Sequence, residues 1–269
     1  MSRTPAAPLA LGPELAARLD GDPLAVMLDV DGTLSPIAPR PEDAIIPEAT
    51  KRALAALAVR PGVHVALVSG RAARDAQRMA GTDNVWVLGN HGIELITPDG
   101  DVTADPRAEP YRPAMAQVAQ TLRGLTAPIR GVLVEDKVWT LSVHYRLAGD
   151  GVAGRLKGVM EELARRHGLR LTAGKKVIEL RPPVQIDKGT AALALARELG
   201  ALSADASLLF AGDDVSDEDA FRALRERLSH AVTVRVAGAE PDRPTAAEFT
   251  LPDTEAMREL LEWLVVLRR

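Results

Sequence analysis

Residues 25–34 read Ala-Val-Met-Leu-Asp-Val-Asp-Gly-Thr-Leu, an apolar run that leads directly into two aspartates and a glycine. The run predicts a strand over Ala25–Val30 that is buried on both faces of a parallel sheet. Open α/β sheets bind ligands at the carboxyl edge of their strands, where Asp29 and Asp31 are expected. This stretch therefore predicts both the fold class and the first part of a site.

Similar apolar runs recur along the chain and alternate with amphipathic segments, an order typical of a parallel sheet covered by helices. The further predicted strands of this sheet are Val63–Val68, Val85–Leu88, Leu208–Ala211 and Val232–Val236. The predicted helices are Glu48–Val59, Arg71–Ala80, Lys188–Leu199, Asp217–Leu228 and Thr254–Leu267. We therefore expect an α/β core.

The middle of the chain has a different order, in which a helix and then strands occur twice. The helices are predicted at Pro113–Arg123 and Gly154–His167. The strands are predicted at Val132–Val134, Thr140–Tyr145, Leu169–Thr172 and Lys176–Leu180. This predicts a small α+β domain, residues 107–183, inserted into a core of residues 23–106 and 184–269. Residues 1–22 are a lead-in to which the sequence assigns no role.

The composition excludes several classes of protein. A net charge of -4 argues against a general binder of nucleic acid or of anionic membranes, because both need a basic face. The absence of cysteine excludes disulfides, thiolate metal sites and cysteine nucleophiles. No signal-peptide core and no run of membrane-spanning length is present, so we expect a cytoplasmic protein.

The two aspartates of the first stretch point to a bound cation. Asp29 and Asp31 are two residues apart in an extended segment, so their carboxylates point the same way and repel each other. A hard divalent cation such as Mg²⁺ relieves that repulsion. Gly32 allows a sharp turn, and the Thr33 hydroxyl can donate to a phosphate oxygen. Taken alone, the pattern fits a turn or a helix cap about equally well.

Polar residues also follow other predicted strands. Ser69 ends the second strand, where a helix start can hold an anion, although a lone serine there is more often a helix cap. Lys188 sits at a turn before a helix, an electrostatically unfavourable place that suggests a functional charge. After Ala211 come five acids within seven residues. Asp213 is the best candidate metal ligand, with Asp214 or Asp217 in support.

Together these four motifs resemble the haloacid dehalogenase superfamily of phosphotransferases, in order and spacing, across nearly the whole chain. The resemblance implies a Rossmann-like parallel core, a cap inserted between Ser69 and Lys188 (type C2), and Mg²⁺ as cofactor. It implies catalysis by an Asp29 nucleophile that forms an aspartyl-phosphate, by an Asp31 acid and base, and by Ser69 and Lys188. The implied metal ligands are Asp29, Asp31, Asp213 and Asp217. The implied phosphate-binding residues are Asp31, Gly32, Thr33, Ser69, Gly70, Arg71 and Lys188.

Within this superfamily, several stretches are similar to trehalose-6-phosphate phosphatases, among them 89–94 (Gly-Asn-His-Gly-Ile-Glu) and 174–182 (Gly-Lys-Lys-Val-Ile-Glu-Leu-Arg-Pro). This likeness implies that the cap grips sugar hydroxyls. The implied sugar-binding residues are Asn90, His91, Glu135, Lys137, Lys175 and Glu179. Strand periodicity puts Glu135 with Lys137 on one face, and Lys175 with Glu179 likewise. Ordinary salt bridges on an exposed sheet face are the simpler interpretation of the same pattern.

The resemblance thus implies a phosphatase that acts on trehalose 6-phosphate in trehalose biosynthesis and could associate with trehalose-6-phosphate synthase. The alternatives are a phosphatase for sucrose 6-phosphate or mannosyl-3-phosphoglycerate, and a non-catalytic sugar-phosphate-binding module that partners a synthase. An acid at Asp31 argues against the ATPases of the superfamily, and the cap position argues against the mutases. The presence of Asp29, Asp31, Lys188 and Asp213 argues against the binding module.

Overall fold

A computed structural model of the protein describes residues 6–174 and 176–269. The chain divides into two compact units. The first runs up to Thr103 and resumes at Ile186, and the second is Ala104–Gln185. No helix within the described ranges combines the length and the apolar character needed to cross a bilayer.

The described strands, in chain order, are β1 (Ala7–Pro8), β2 (Leu24–Leu28), β3 (Val63–Val68), β4 (Trp86–Gly89), β5 (Glu94–Ile96), β6 (Val102–Ala104), β7 (Leu133–Asp136), β8 (Leu141–His144), β9 (Arg170–Gly174), β10 (Val177–Arg181), β11 (Ser207–Gly212), β12 (Val232–Val236) and β13 (Phe249–Leu251). The described α-helices are α1 (Pro13–Arg18), α2 (Glu48–Ala58), α3 (Ala73–Ala80), α4 (Arg112–Thr126), α5 (Val152–His167), α6 (Lys188–Glu198), α7 (Val215–Arg227) and α8 (Thr254–Leu267).

The larger sheet has the order β1-β13-β12-β11-β2-β3-β4-β5-β6. The first seven strands in this order, which end with β4, are parallel to one another. Strand β5 runs antiparallel to β4. Strand β2 lies between β11 and β3, so the carboxyl ends of these strands meet at one edge. Alternate residues of β2 pack on opposite faces. Val26 joins an apolar cluster with α2 and α8, whereas Met27 joins one with α6 and α7.

The second unit contains the antiparallel sheet β7-β8-β10-β9. Val143 and Ile178 of this sheet pack in one apolar cluster with side chains of α4 and α5. The helices therefore cover one face of the sheet.

The predicted fold class, a mainly parallel α/β core with a separate α+β insertion, is confirmed. The predicted long strands and helices are found with ends that shift by up to three residues. Strands of two or three residues, β1, β5, β6 and β13, were not predicted. Strand β1 pairs with β13 and adds the lead-in to the edge of the core sheet.

Candidate active site

The nucleophile candidate Asp29 lies one residue past the end of β2, and its backbone N–H donates to the carbonyl of Ala211 at 2.9 Å. The side chain is buried, with 4% of the residue exposed. Its Oδ1 accepts a hydrogen bond of 2.6 Å from Nζ of Lys188. The neighbouring strand thus fixes the backbone, and a buried cation fixes the carboxylate.

Lys188 is the first residue of α6 and is 3% exposed. The helix begins there because Asp187 caps it, accepting a 2.8 Å hydrogen bond from the backbone N–H of Thr190. The ammonium group donates to Asp29 and also, at 2.8 Å, to Oδ1 of Asp217. A buried lysine at a helix N-terminus is unfavourable unless it is paired. Here two carboxylates compensate that charge.

The carboxylates of Asp29, Asp213 and Asp217 lie close enough for one oxygen of each to fall within 4.8 Å of the others. Asp217 is held firmly, because its Oδ2 accepts from the backbone N–H groups of Asp213 and Asp214 at 3.1 and 2.9 Å. In contrast, Oδ1 of Asp213 is buried and has no hydrogen-bond partner among the described residues. A buried carboxylate oxygen of this kind needs a cation or a proton.

The ionisation of the cluster reflects an excess of negative charge. Burial raises the pKa of Asp29 well above its ordinary value, and Asp217 and Asp213 add to the rise while Lys188 opposes it. Burial, with the charges of Asp217 and Asp214, raises the pKa of Asp213 to about 8. Burial also raises the pKa of Asp217. Burial alone would lower the pKa of Lys188, but the carboxylates of Asp217 and Asp29 raise it. One lysine does not neutralise this cluster, which is therefore suited to a metal ion.

Asp31 is not part of this cluster, which differs from the expectation that it would face a shared cation. Its two carboxylate oxygens accept hydrogen bonds of 2.6 and 2.7 Å from Nε and Nη2 of Arg71. The chain turns immediately after Asp31, where Gly32 has a φ of 87°. Gly32 also lies directly against the carboxylate of Asp213.

Hydroxyl and amide groups at the ends of β2 and β3 supply further polar groups. The Thr33 hydroxyl is buried and has no hydrogen-bond partner in the described ranges. Ser69 does not cap α3, which begins four residues later; its Oγ accepts a 3.2 Å hydrogen bond from the N–H of Arg71. Both hydroxyls can donate a hydrogen bond. Binding of a phosphate by Thr33 and Ser69 stays a prediction.

Asn90 and His91 follow β4, and both have positive φ, 49° and 59°. The N–H of His91 donates to the carbonyl of Ser69 at 2.9 Å, and the imidazole lies against Gly70. Nδ2 of Asn90 donates to Glu94 at 2.8 Å, and the same carboxylate oxygen accepts from the N–H of Ala73. Positive φ in a non-glycine residue is uncommon and occurs where surrounding contacts impose it. These contacts tie Asn90 and His91 to the loop that carries Ser69.

Sequence reasoning missed two arginines near the acidic cluster. Arg235 is 1% exposed within β12 and donates to the backbone carbonyls of Glu240, Pro241 and Arg243. Arg243 in turn donates to the carbonyl of Asp213 at 2.5 Å. The signal that could have identified this contact is an arginine in the otherwise mostly valine run 232–236. A charge in a buried strand needs partners, which here are the carbonyls of the loop at residues 240–243.

In the second unit, the predicted sugar-binding residues Glu135, Lys137 and Glu179 lie on the polar face of the sheet, opposite the helices. Glu135, Ser142 and Glu179 are direct cross-strand neighbours on β7, β8 and β10. Glu179 accepts hydrogen bonds from Lys137 at 2.6 Å, from Ser142 at 3.1 Å and from Arg181 at 2.5 Å. The structure therefore joins Lys137 to Glu179.

Glu135 also contacts His144, with Oε2 2.7 Å from Nε2 of the imidazole. Lys175 lies outside the described residues. The polar face thus carries carboxylate and cationic groups side by side. The carboxylates can accept hydrogen bonds from the hydroxyls of a polyol, and the cationic groups can donate to them.

Comparison with known proteins gives a consistent picture. The family model that matches residues 27–255 is described as trehalose-phosphatase. A Mycobacterium tuberculosis protein named trehalose-phosphate phosphatase is 37% identical over 266 residues, which cover 98% of this chain and 66% of that protein. A second M. tuberculosis protein, an uncharacterized glycosyl hydrolase, is 37% identical over 241 residues, which cover 88% of this chain and 18% of that protein. The chain spans less than two thirds of the length of these relatives.

Solved structures are similar over most of their length. The crystal structure of a trehalose-6-phosphate phosphatase related protein superposes with a TM-score of 0.79 at 26% identity, covering 90% of this chain and 97% of the other. The Aspergillus fumigatus trehalose-6-phosphate phosphatase gives a TM-score of 0.63 at 26% identity, covering 98% of each chain. Both the core and the inserted unit thus have counterparts in these structures.

Proposed function

The chain belongs to the trehalose-phosphatase family, as its motifs predicted, and we propose that it hydrolyses trehalose 6-phosphate to trehalose and inorganic phosphate. The observation that carries the proposal is the family match over residues 27–255. The chain also has the acidic cluster of Asp29, Asp213 and Asp217 beside Lys188. Because the chain spans less than two thirds of these relatives, the activity is tested on this chain itself.

In the proposed reaction, an oxygen of Asp29 attacks phosphorus as the bond from phosphorus to the sugar oxygen breaks. Asp31 gives a proton to the departing sugar oxygen and later takes one from the water that attacks the aspartyl-phosphate. Lys188 orients Asp29 for this attack through the 2.6 Å hydrogen bond from Nζ to Oδ1. The hydroxyls of Thr33 and Ser69 donate to the phosphoryl oxygens.

Asp29, Asp213 and Asp217 are the residues that would hold Mg²⁺. The buried, unpartnered Oδ1 of Asp213 fits this assignment, as does a donor set made only of carboxylate oxygens, which hard cations prefer. When bound, the cation neutralises charge on the transferring phosphoryl group. The chain's own contribution is to hold Asp217 through backbone N–H groups and to keep Lys188 between two of the carboxylates.

We assign recognition of the sugar to the polar face of the inserted unit, with Glu135, Lys137 and Glu179 as its central groups and Lys175 as a further candidate. Support comes from the burial of Lys137 and Glu179, whose pair is too enclosed for an ordinary surface salt bridge. Asn90 and His91 are assigned to the wall of the phosphate site. Association with a trehalose-6-phosphate synthase and a cytoplasmic location stay predictions, which co-purification and fractionation would test.

The test of the activity is phosphate release from a panel of trehalose 6-phosphate, sucrose 6-phosphate, mannosyl-3-phosphoglycerate and glucose 6-phosphate, with Mg²⁺. We expect preference for trehalose 6-phosphate, loss of activity with a chelator, and a decrease of at least ~10³-fold in Asp29→Asn. Asp75→Asn, at a partly exposed aspartate of α3 that pairs with Arg78, is the matched control and should be unchanged. Preference for another sugar phosphate would overturn the substrate, and no release from any would overturn the enzyme assignment.

The sugar assignment is tested by Glu179→Gln, which keeps the shape and removes the charge that Lys137 and Arg181 contact. We expect KM for trehalose 6-phosphate to rise by ~10-fold or more, since hydrogen bonds to charged groups contribute about 1.5–3 kcal/mol. KM for p-nitrophenyl phosphate, which has no sugar, should not change. Glu162→Gln, on an exposed part of α5, is the control. An equal loss on both substrates would contradict this assignment.

A further inference from the structure

Two nitrogens of the Arg71 guanidinium, Nε and Nη2, are held by other groups of the protein. Its Nε and Nη2 meet the two carboxylate oxygens of Asp31 at 2.6 and 2.7 Å. Nη2 also donates to the carbonyl of Pro41 at 2.9 Å. The guanidinium is therefore hydrogen-bonded both to the Asp31 carboxylate and to the short 3₁₀ helix that begins at Pro41.

The backbone of Arg71 is equally well anchored. Its N–H donates to Oγ of Ser69 at 3.2 Å, and its carbonyl accepts from the N–H of Asn90 at 2.7 Å. The Arg71 side chain is 12% exposed, against 35% for that of Asp31. The more enclosed and better anchored partner, the arginine, thus determines where the more exposed carboxylate lies.

A guanidinium that donates two parallel hydrogen bonds holds a carboxylate in one plane and one orientation. The ammonium group of a lysine cannot impose this geometry. Asp31 follows Asp29 by two residues and would otherwise be free to turn toward the Asp29, Asp213 and Asp217 cluster. We infer that Arg71 is a positioning residue for Asp31, which it keeps out of the metal cluster and directed for proton transfer. This inference rests on the proposed phosphatase function, and it differs from the phosphate-binding role that the resemblance implied for Arg71.

The two roles make different demands on the leaving group. A sugar oxygen leaves as an alkoxide and needs the proton that Asp31 supplies, whereas p-nitrophenolate leaves without one. A positioning residue for Asp31 therefore matters for release of the sugar and not for release of nitrophenol. A phosphate ligand matters for both, because both substrates transfer the same phosphoryl group.

The test compares Arg71→Lys and Arg71→Met with the parent protein on the two substrates in the presence of Mg²⁺. Rapid mixing measures the first turnover, as trehalose formed or nitrophenol released per site. We expect trehalose formation to slow by at least ~10-fold, within the range for general acid catalysis, with KM changed less than about 3-fold. The nitrophenol burst should keep its rate, although later turnovers slow because Asp31 also activates the water.

Two further variants make the result decisive. Asp31→Asn combined with Arg71→Met should be no slower than Asp31→Asn alone, since residues that act as a unit are not additive. Arg74→Met, at an exposed position of α3, is the control and should behave like the parent. If Arg71→Met does not fold, Arg71→Lys carries the comparison.

The outcomes separate this inference from the proposed function. Loss of the nitrophenol burst together with a raised KM would make Arg71 a phosphate ligand, and unchanged trehalose formation would make its pair with Asp31 a surface ion pair. Either result overturns the inference while the parent protein remains active. Failure of the parent protein to release phosphate from any substrate would instead overturn the function.

Discussion

Nζ of Lys188 lies 2.6 Å from Oδ1 of Asp29, and both residues are almost completely buried. An unpaired charge in such surroundings would be strongly unfavourable, so each group depends on the other. The pair therefore links the stability of the fold to the orientation of the proposed nucleophile.

We expect Lys188→Met to weaken both properties. Removing one partner of a buried ion pair costs about 3–5 kcal/mol in the free energy of unfolding, because the remaining carboxylates lose their counter-charge. Phosphate release should fall by at least ~10²-fold, since the phosphoryl group also loses a cation. Urea unfolding with a chelator and a phosphate assay measure the two effects. Lys157→Met, at an exposed position, is the control, and a stability loss equal to the control's would contradict the interpretation.

The metal-free protein should become less stable as the pH rises from about 4 to about 8. Asp213 has a raised pKa of about 8 in the folded protein, against an ordinary value of 3.8 when unfolded. Between these values the folded state holds a proton that the unfolded chain has released, so unfolding is favoured increasingly as the pH rises. The limiting slope is about 1.4 kcal/mol per pH unit for one proton.

Urea midpoints at pH 5, 6, 7 and 8 with a chelator measure this dependence. Asp213→Asn is neutral at every pH, so it should reduce the slope and be more stable than the parent protein at pH 8. Added Mg²⁺ should stabilise the parent more at pH 8 than at pH 6, because metal and proton compete for the same oxygen. A flat profile in the parent would contradict the buried, protonated Asp213.

Gly32 and Gly238 both have positive φ, 87° and 54°, yet their surroundings differ. A Cβ at Gly32 would collide with the Asp213 carboxylate, whereas one at Gly238 would meet nothing within 4 Å. Alanine at either position should cost about 1–2 kcal/mol for the left-handed backbone. Gly32→Ala should in addition raise the Mg²⁺ concentration needed for half-maximal activity. Equal metal dependence in the two variants, measured by titration, would show that Gly32 has no role beside Asp213.

Arg235→Met should destabilise the loop that reaches the acidic cluster. The substitution keeps the bulk of the side chain but leaves the carbonyls of Glu240, Pro241 and Arg243 without this donor. We expect a loss of about 2–4 kcal/mol in unfolding free energy, as for buried acceptors left unpaired. Arg197→Met, exposed on α6, serves as the comparison. Thermal unfolding of the two variants measures the difference, and equal midpoints would argue against a structural role for Arg235.

The sequence by itself determined the class of fold, the long elements and the identity of the chemical groups. Runs such as Leu24–Leu28 are buried strands because their side chains are apolar over the whole run, which is a local property. The acids at 213–219 and the stretch from Asp29 to Thr33 are also local, and they carry the family resemblance that implies phosphoryl chemistry.

Only the tertiary structure decided which of these groups meet. Lys188 finds Asp29 across 159 residues, and Asp31 pairs with Arg71 across 40, contacts that no local pattern specifies. The shortest strands, such as β1, were invisible in the sequence because two residues have no periodicity of their own and form a strand only on an existing sheet edge. The charges were readable from the chain, but their partners depended on packing that brings distant segments to one edge of the sheet.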